Sequence, residues 1–416
     1  MASQTFDQLI NKAMKDWEAP DLMNAAHAPR GKKIPFSSPL MNWATYGGVP
    51  RDKITEFYGT PGAGKSSSAI DVCKNAYQIF AQEYEEEVQS LRDLAQKDPK
   101  KYRGPLEDLQ ERGMKKVLYL DLENSFDSEW SKTLGIQDDQ IHIMTPPDRP
   151  AEEELQLLQE LIETGEVGLV VLDSIPSLVT KAELEKKYGE RTVAALAGLL
   201  TIFFRKIVPL LTRYKCTLLT INQIRDNQDN PYVVNTPGGQ APKFYASLRI
   251  EFKLGVPVDF LGNDLPQKAE NPAGYKVTGK IVKQKSAPFD RKLGSYYLMV
   301  SKGVMPVFDY VNLAINSYGL ILKSGGWFRV CDPVTGEILE VDGKELKIQG
   351  LAGVYDYVQS HDDYYSTLKE FIEADINGRD PDFSRQLCTS DDDIEDENEE
   401  DVEGPDDVVE ETSEGE

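Results

Sequence analysis

The chain is predicted to fold as a doubly wound α/β domain around a mainly parallel, buried sheet, and three observations carry that expectation. Between Ile54 and Phe244, short apolar and often β-branched runs alternate with helical stretches. The runs are too short for helices, and the segments joining them are too long for hairpins. A glycine-rich turn follows the first run and opens a helix, and sheets of this class bind ligands at the carboxyl ends of their strands.

Taken in order, the strand KITEFYG leads into a helix from Lys65, and KKVLYLDLE and IHIMTP follow as strands. A helix from Ala151 to Thr164, the strand VGLVVLD, a long helix through Leu196 to Tyr214 and the strand CTLLTINQ complete the set. The charged stretch from Tyr77 to Gly113 reads as a solvated excursion of one long helix, a turn and a short helix, broken at Asp98-Pro99 and Gly104-Pro105. After Ala246, LRIEFKLG, KVTGKIVKQK and SYYLMVSKG read as antiparallel strands that extend the sheet. From Val307 to Asp375, the helical patterns VFDYVNLAINSYGLI and TLKEFIEADI flank a short strand pair at GGWFRV and EILEV, a small α+β lobe. Ahead of the core, Phe6, Leu9, Ile10, Ala13, Met14 and Trp17 fall at helical spacing. A lone amphipathic helix there must cover a surface, either of its own domain or of a neighbouring subunit. The expected boundaries are an arm and link over 1–33, a core over 34–299 with the excursion at 77–113, a lobe over 300–388 and a disordered acidic tail over 389–416.

Of the 416 residues, 46 are Lys or Arg and 70 Asp or Glu, a formal net charge of −24. The last 26 residues hold 16 acidic side chains and no basic one, so the preceding 390 carry only −8. A local basic groove on the body therefore remains compatible with the acidic total. Cys73, Cys216, Cys331 and Cys388 lie far apart and only three histidines are present, which argues against a disulfide scaffold or a zinc module. No apolar run of about 18 to 20 residues and no secretory amino terminus stands out, so a soluble cytoplasmic protein is expected.

Gly59-Thr60-Pro61-Gly62-Ala63-Gly64-Lys65-Ser66 satisfies the phosphate-loop pattern GxxxxGKS between a strand and a helix. Such a loop turns successive N–H groups and a helix dipole toward phosphate oxygens, Lys65 reaches the terminal phosphates, and the Ser66 hydroxyl can ligate Mg²⁺. Ser67, next along, is grouped with the nucleotide-binding residues. Asp173 ends the apolar strand VGLVVLD, where a carboxylate is costly unless it faces a cation or strong donors. VLYLDLE ends in Asp121 and Glu123, which alternation puts on one face, and Glu123 is placed to orient or deprotonate water. CTLLTINQ delivers Asn222 and Gln223 just before a Gly- and Asn-rich segment, an arrangement able to report a γ-phosphate.

The ordered succession GTPGAGKS, LYLDLENSFDSEW, LVVLDSIPSL, TKAELEKKYGER, INQIR, NTPGGQAPKFYASLRI and KIVKQKSAPF resembles the bacterial RecA recombinases and their bacteriophage relatives. The resemblance covers about Ile34 to Phe289 well and the lobe to about Ile376 more loosely. It implies a RecA-type ATPase core using ATP and Mg²⁺, with Lys65 and Ser66 on phosphates and metal, Asp173 supporting the metal, Glu123 activating water, and Gln223 coupling the γ-phosphate to a DNA-binding loop. It places Asp127 and Trp130 at the adenine. Lys283 and Lys285 match a pair that reaches a neighbouring subunit's ATP. DNA-binding loops are implied at about 185–193 and 224–240, with Lys186, Lys187, Tyr188, Arg191, Arg225, Gly238 and Gly239, and Arg205 is a further phosphate contact.

The implied function is a DNA-dependent ATPase that polymerises head to tail on single-stranded DNA and exchanges it with homologous duplex, with single-strand-binding and mediator proteins as candidate further partners. A hexameric helicase of the same core fold and a non-exchanging regulatory ATP-binding scaffold are the alternatives. Asp226 and Asp229 in the second loop weaken a purely electrostatic account of DNA affinity, and Gly198 stands where bacterial members tend to have arginine. The long excursion and the TPGA loop interior favour a bacteriophage-encoded member, and the acidic tail reads either as a solubilising end or as a competitor with DNA for basic surface.

Overall fold

A computed structural model describes residues 31–137, 139–145, 149–187, 195–224 and 236–378, with Gln8 and Lys12 besides. The amphipathic segment around Phe6 to Trp17, the acidic tail and Cys388 therefore lie outside the described residues, save those two positions.

The elements run β1 (Lys33–Ile34), α1 (Pro39–Thr45), β2 (Val49–Pro50), β3 (Ile54–Gly59), α2 (Lys65–Lys97), α3 (Pro99–Arg112), β4 (Lys116–Asp121), α4 (Ser128–Thr133), β5 (His142–Met144), α5 (Ala151–Glu163), β6 (Val167–Asp173) and α6 (Lys181–Leu184). They continue with α7 (Ala195–Tyr214), β7 (Thr217–Gln223), α8 (Ala241–Tyr245), β8 (Leu248–Val258), β9 (Gly274–Gln284), β10 (Leu293–Met299), β11 (Gly303–Val304) and α9 (Pro306–Asn316). The carboxyl-terminal part adds β12 (Ile321–Ser324), β13 (Trp327–Val330), β14 (Glu340–Val341), β15 (Lys344–Glu345), β16 (Lys347–Gln349), α10 (Gly350–Ser360) and α11 (Asp362–Ile376).

The main sheet has the order β11-β10-β9-β8-β3-β7-β6-β4-β5. Strands β8, β3, β7, β6, β4 and β5 are mutually parallel, and β9 to β11 are added antiparallel. All seven residues of β6 are buried because helices cover both faces. Leu169 and Val171 face α2 with Val72, Cys73 and Ala76, whereas Val170 and Leu172 face α5 and α7 with Leu158, Ile162, Phe204 and Ile207. This period-two division is what makes the strand read as an unbroken apolar run.

Several expectations are corrected. LRIEFKLG is not antiparallel to the core: β8 runs parallel to β3, and only its other edge pairs antiparallel with β9. The link from β7 through α8 is a crossover, which returns the chain in the same direction. Gly104-Pro105 does not break α3, which carries Pro105 in its interior. The carbonyl that Pro105 cannot pair belongs to exposed Lys101, where water can satisfy it. GGWFRV and EILEV meet at their ends, where Leu339 N donates to Val330 O and Cys331 bridges Ile338, but their ladders form with other strands. β13 turns back on β12 across Gly325-Gly326 and pairs with β16, while β14 and β15 form a separate ribbon across Asp342-Gly343. Asp342 and Gly343 both have positive φ (53° and 71°), as a two-residue hairpin turn requires. The pattern VFDYVNLAINSYGLI ends its helix at Asn316, and α10 was not foreseen. Finally, α7 has the length and apolar composition of a membrane span. Arg205 and Lys206 interrupt it, and its Leu200, Phe203, Phe204, Ile207 and Leu211 are buried against the sheet.

The carboxyl-terminal elements gather around Phe308, Val311, Val330, Val354, Leu368 and Phe371, a cluster that continues into Val258, Tyr297 and Met299 of the main sheet. At the same junction Ser38 caps α1 and donates its hydroxyl to the fully buried Asp309 of α9.

Candidate nucleotide and DNA-binding site

Parallel register brings the carboxyl ends of four strands together: Gly59 lies opposite Gln223, and Asp121 opposite Asp173. The loop after β3 folds tightly because Gly59 passes so close to β8 that a Cβ there would lie 2.2 Å from the Phe252 carbonyl oxygen. Gly64 caps α2 in the left-handed region at φ 86°, which gives the loop its turn into the helix.

Lys65 is 7% exposed and donates to the carbonyls of Gly59 (3.2 Å) and Thr60 (2.7 Å). Burial lowers its pKa, partly offset by the Asp173 and Glu123 charges. An ammonium whose hydrogen bonds among the described residues go to loop carbonyls, in a buried setting, is matched to a strong anion. The Ser66 hydroxyl donates to Asp173 Oδ2 at 2.8 Å, and the Tyr119 phenol donates to the same oxygen at 2.5 Å. Burial raises the Asp173 pKa, while the bonds from Tyr119 and Ser66 pull it down and Glu123 and Asp121 push it up.

Glu123 Oε1 accepts from Gln223 Nε2 at 2.9 Å and from the Ser174 hydroxyl. Asp121 does not share its face with Glu123, contrary to the alternation argument. The strand stops at Asp121, whose carboxylate turns back to accept from the Ser125 (3.2 Å) and Phe126 (2.9 Å) amides. Asp127 caps α4 by accepting from Glu129 N and Trp130 N, and Trp130 Nε1 donates to Ser67 Oγ at 3.0 Å. The indole, the loop from Gly62 to Ser67, Leu254, Tyr275, Leu298 and Val300 enclose a cavity of about 420 Å³. Loop amides, a buried ammonium, a hydroxyl paired with a carboxylate and a flat aromatic wall fit a nucleoside triphosphate with its divalent cation.

Lys283 and Lys285 are not in this cavity. Lys283 Nζ donates to Phe244 O (2.9 Å) and Lys243 O (2.5 Å), and Lys285 Nζ to Phe244 O (3.3 Å), so both rest on the end of α8. Desolvation, then repulsion from Lys285, lowers the Lys283 pKa to about 8. Beside them Tyr58, Lys243, Arg249, Lys280, Phe289 and Lys292 line a second cavity of about 460 Å³.

Of the implied DNA contacts, Lys186 and Lys187 are exposed after α6 and Arg205 is exposed on α7, whereas Tyr188, Arg191 and Arg225 lie outside the described residues. Gly238 and Gly239 have φ 88° and 73°, and Cβ atoms there would come within 2.7 Å of Leu200 and 2.8 Å of Ala197, so this turn packs directly on α7. Asn222 ties the turn to the sheet: its Nδ2 donates to Pro237 O and to Glu56 Oε1, both at 3.0 Å. Glu56 in turn accepts from Arg249, whose guanidinium lies 4.6 Å from the Tyr58 ring centre. Sequence reasoning missed Tyr119, Ser174, Glu56 and Arg249. A charged residue at the centre of the otherwise buried strand ITEFY was the available signal for Glu56.

A sequence profile of the RecA N-terminal domain matches residues 106–305, which begin within α3, beyond the phosphate loop. The chain is 30% identical to protein RecA of Thermus thermophilus over 322 residues, covering 76% of this chain and 80% of that protein. It is 29% identical to protein RecA of Fusobacterium nucleatum over 73% of this chain and 68% of that one, and 29% identical to protein RecA of Ruminococcus albus over 75% and 68%. The mainly parallel sheet, the phosphate loop at its centre and an alignment of this extent together place the chain in the RecA family of recombinases.

Proposed function

We propose that the chain is a DNA-dependent ATPase that assembles head to tail on single-stranded DNA and exchanges that strand with a homologous duplex. The observation that carries this reading is the Gln223–Glu123 hydrogen bond of 2.9 Å. It joins the carboxylate suited to activate water to the last residue of the strand that leads into the second loop.

ATP would lie with its phosphates on the loop from Gly59 to Ser66, its base beside Trp130 and Asp127, and its terminal phosphate against Lys65. Mg²⁺, held through Ser66 and Asp173, would neutralise phosphate charge. Glu123 orients and accepts a proton from the attacking water, and a γ-phosphate competing for the Gln223 amide draws it away from Glu123. Because Gln223 borders the loop, that exchange of partners changes the loop's presentation to DNA. Lys283 on β9, two strands from β3, and Lys285 just beyond it rest on the end of α8 outside the nucleotide cavity, and would serve a neighbour's γ-phosphate rather than their own. Hydrolysis then depends on assembly, and a heterologous contact that does not close yields a filament.

The test is strand exchange between circular single-stranded DNA and homologous linear duplex, with ATP and Mg²⁺, beside Lys65→Ala and imaged by electron microscopy. Joint molecules and helical filaments in the wild type, lost in the variant, are expected. Closed rings that separate strands without pairing them would instead identify a helicase.

A further inference from the structure

We infer that Tyr119 is a positioning residue that fixes the Asp173 carboxylate in the orientation needed to receive the nucleotide-bound divalent cation. The inference rests on the nucleotide reading above and adds to it a group that no motif marks.

Tyr119 lies in the middle of β4, opposite Val171 of β6 and two residues before the Asp121–Asp173 pair. Its ring is 2% exposed, packed in the apolar layer beneath α2 and edge-on to Phe126 at 5.2 Å between centroids. A phenol in such a layer needs a partner for its hydroxyl. It finds Asp173 Oδ2 at 2.5 Å, reaching along the sheet to the end of the neighbouring strand.

The Ser66 hydroxyl donates to that same Oδ2 at 2.8 Å. Two donors on one oxygen set the plane of the carboxylate and leave Oδ1 outside the pair of bonds. The two donors differ in kind. Ser66 stands in the phosphate loop and offers its own oxygen to a cation, so its bond to Asp173 must share that hydroxyl with the metal. Tyr119 reaches Asp173 from within β4, buried in the apolar layer beneath α2, and belongs to no phosphate-binding element. Asp173 is 3% exposed and has the Glu123 and Asp121 carboxylates nearby, so its charge is not stabilised by solvent. A buried donor outside the phosphate loop orients the ligand before the cation arrives.

Tyr119→Phe deletes one oxygen and keeps the ring packing. Binding of the slowly hydrolysed analogue ATPγS is measured by calorimetry in EDTA and across a Mg²⁺ series, for the wild type, Tyr119→Phe, Asp173→Asn and Lys65→Ala. The expected result is unchanged affinity in EDTA for Tyr119→Phe. The Mg²⁺ concentration giving half of the metal-dependent gain should rise about tenfold, within the range that ligand-supporting hydrogen bonds command. Asp173→Asn should lose the gain altogether. An unshifted Mg²⁺ midpoint overturns the inference. So does equal weakening with and without Mg²⁺, which would identify a packing role. Wild-type protein that binds no ATPγS, or Lys65→Ala that binds it normally, would overturn the nucleotide reading itself.

Discussion

Arg249→Met should destabilise the protein by about 3–5 kcal/mol, the range for stranding one member of a buried ion pair. Glu56 is fully buried and Arg249 10% exposed, with Nε 2.5 Å from Oε2. Once the guanidinium is gone, the Glu56 carboxylate in the central strand keeps only the Asn222 amide. Glu56→Gln strands the opposite charge, but Arg249 lines an open cavity and lies over Tyr58, so the remaining cation is partly accommodated. Its cost should be smaller, about 1.5–3 kcal/mol for the loss of a hydrogen bond to a charged group. The double variant Glu56→Gln with Arg249→Met leaves no buried charge and should be more stable than Arg249→Met alone. Urea denaturation followed by circular dichroism supplies the four free energies of the cycle. Additive effects, or an Arg249→Met cost below about 1 kcal/mol, would show that the pair behaves as a solvent-exposed one and refute the reasoning.

Two further outcomes concern protons. Asp309 is fully buried, and desolvation holds its pKa well above the usual carboxylate range despite the Ser38 hydroxyl, the Lys276 charge and the Leu40 amide. An acid with its folded pKa raised is stabilising below its unfolded value of about 3.9 and loses that contribution as pH rises toward the folded one. The Asp309 contribution should therefore fall with pH by up to about 1.4 kcal/mol per unit across that window, and urea midpoints of Asp309→Asn should gain on those of the wild type as pH rises from about 4. Lys283, lowered to about 8 chiefly by desolvation, loses its charge as pH rises through that value. ATP turnover should then decline above pH 8, and Lys283→Arg should move the decline upward; an unmoved limb would assign it to another group.

How much of this was legible in the sequence follows from the range of each interaction. The strands β3, β4, β6 and β7 could be read because burial on both faces writes itself as contiguous apolar runs, and the phosphate loop because its geometry demands glycine at fixed offsets. Contacts between strands were not legible. Tyr119 reads as one more apolar residue until register places β4 beside β6, and Arg249 finds Glu56 across 193 positions. The Asp121–Glu123 expectation failed because alternation holds only while the strand lasts, and β4 ends at Asp121, before Glu123. The hairpins of the carboxyl-terminal part were signalled by Gly325-Gly326 and Asp342-Gly343, two-residue turns that direct each strand to its immediate neighbour.

The bond from Asn222 to Pro237 holds together the described residues that flank the segment 225–235, with Gly238 and Gly239 seating their turn on α7. Exchange of that stretch for another sequence need not disturb Glu123, Ser66 or Lys65. Doubling the length of a flexible closed loop costs only about 0.6 kcal/mol. Under the proposed function, the DNA-facing segment would be a replaceable cassette on a fixed motor, open to grafting in the laboratory while the phosphate loop and its carboxylates stay as they are.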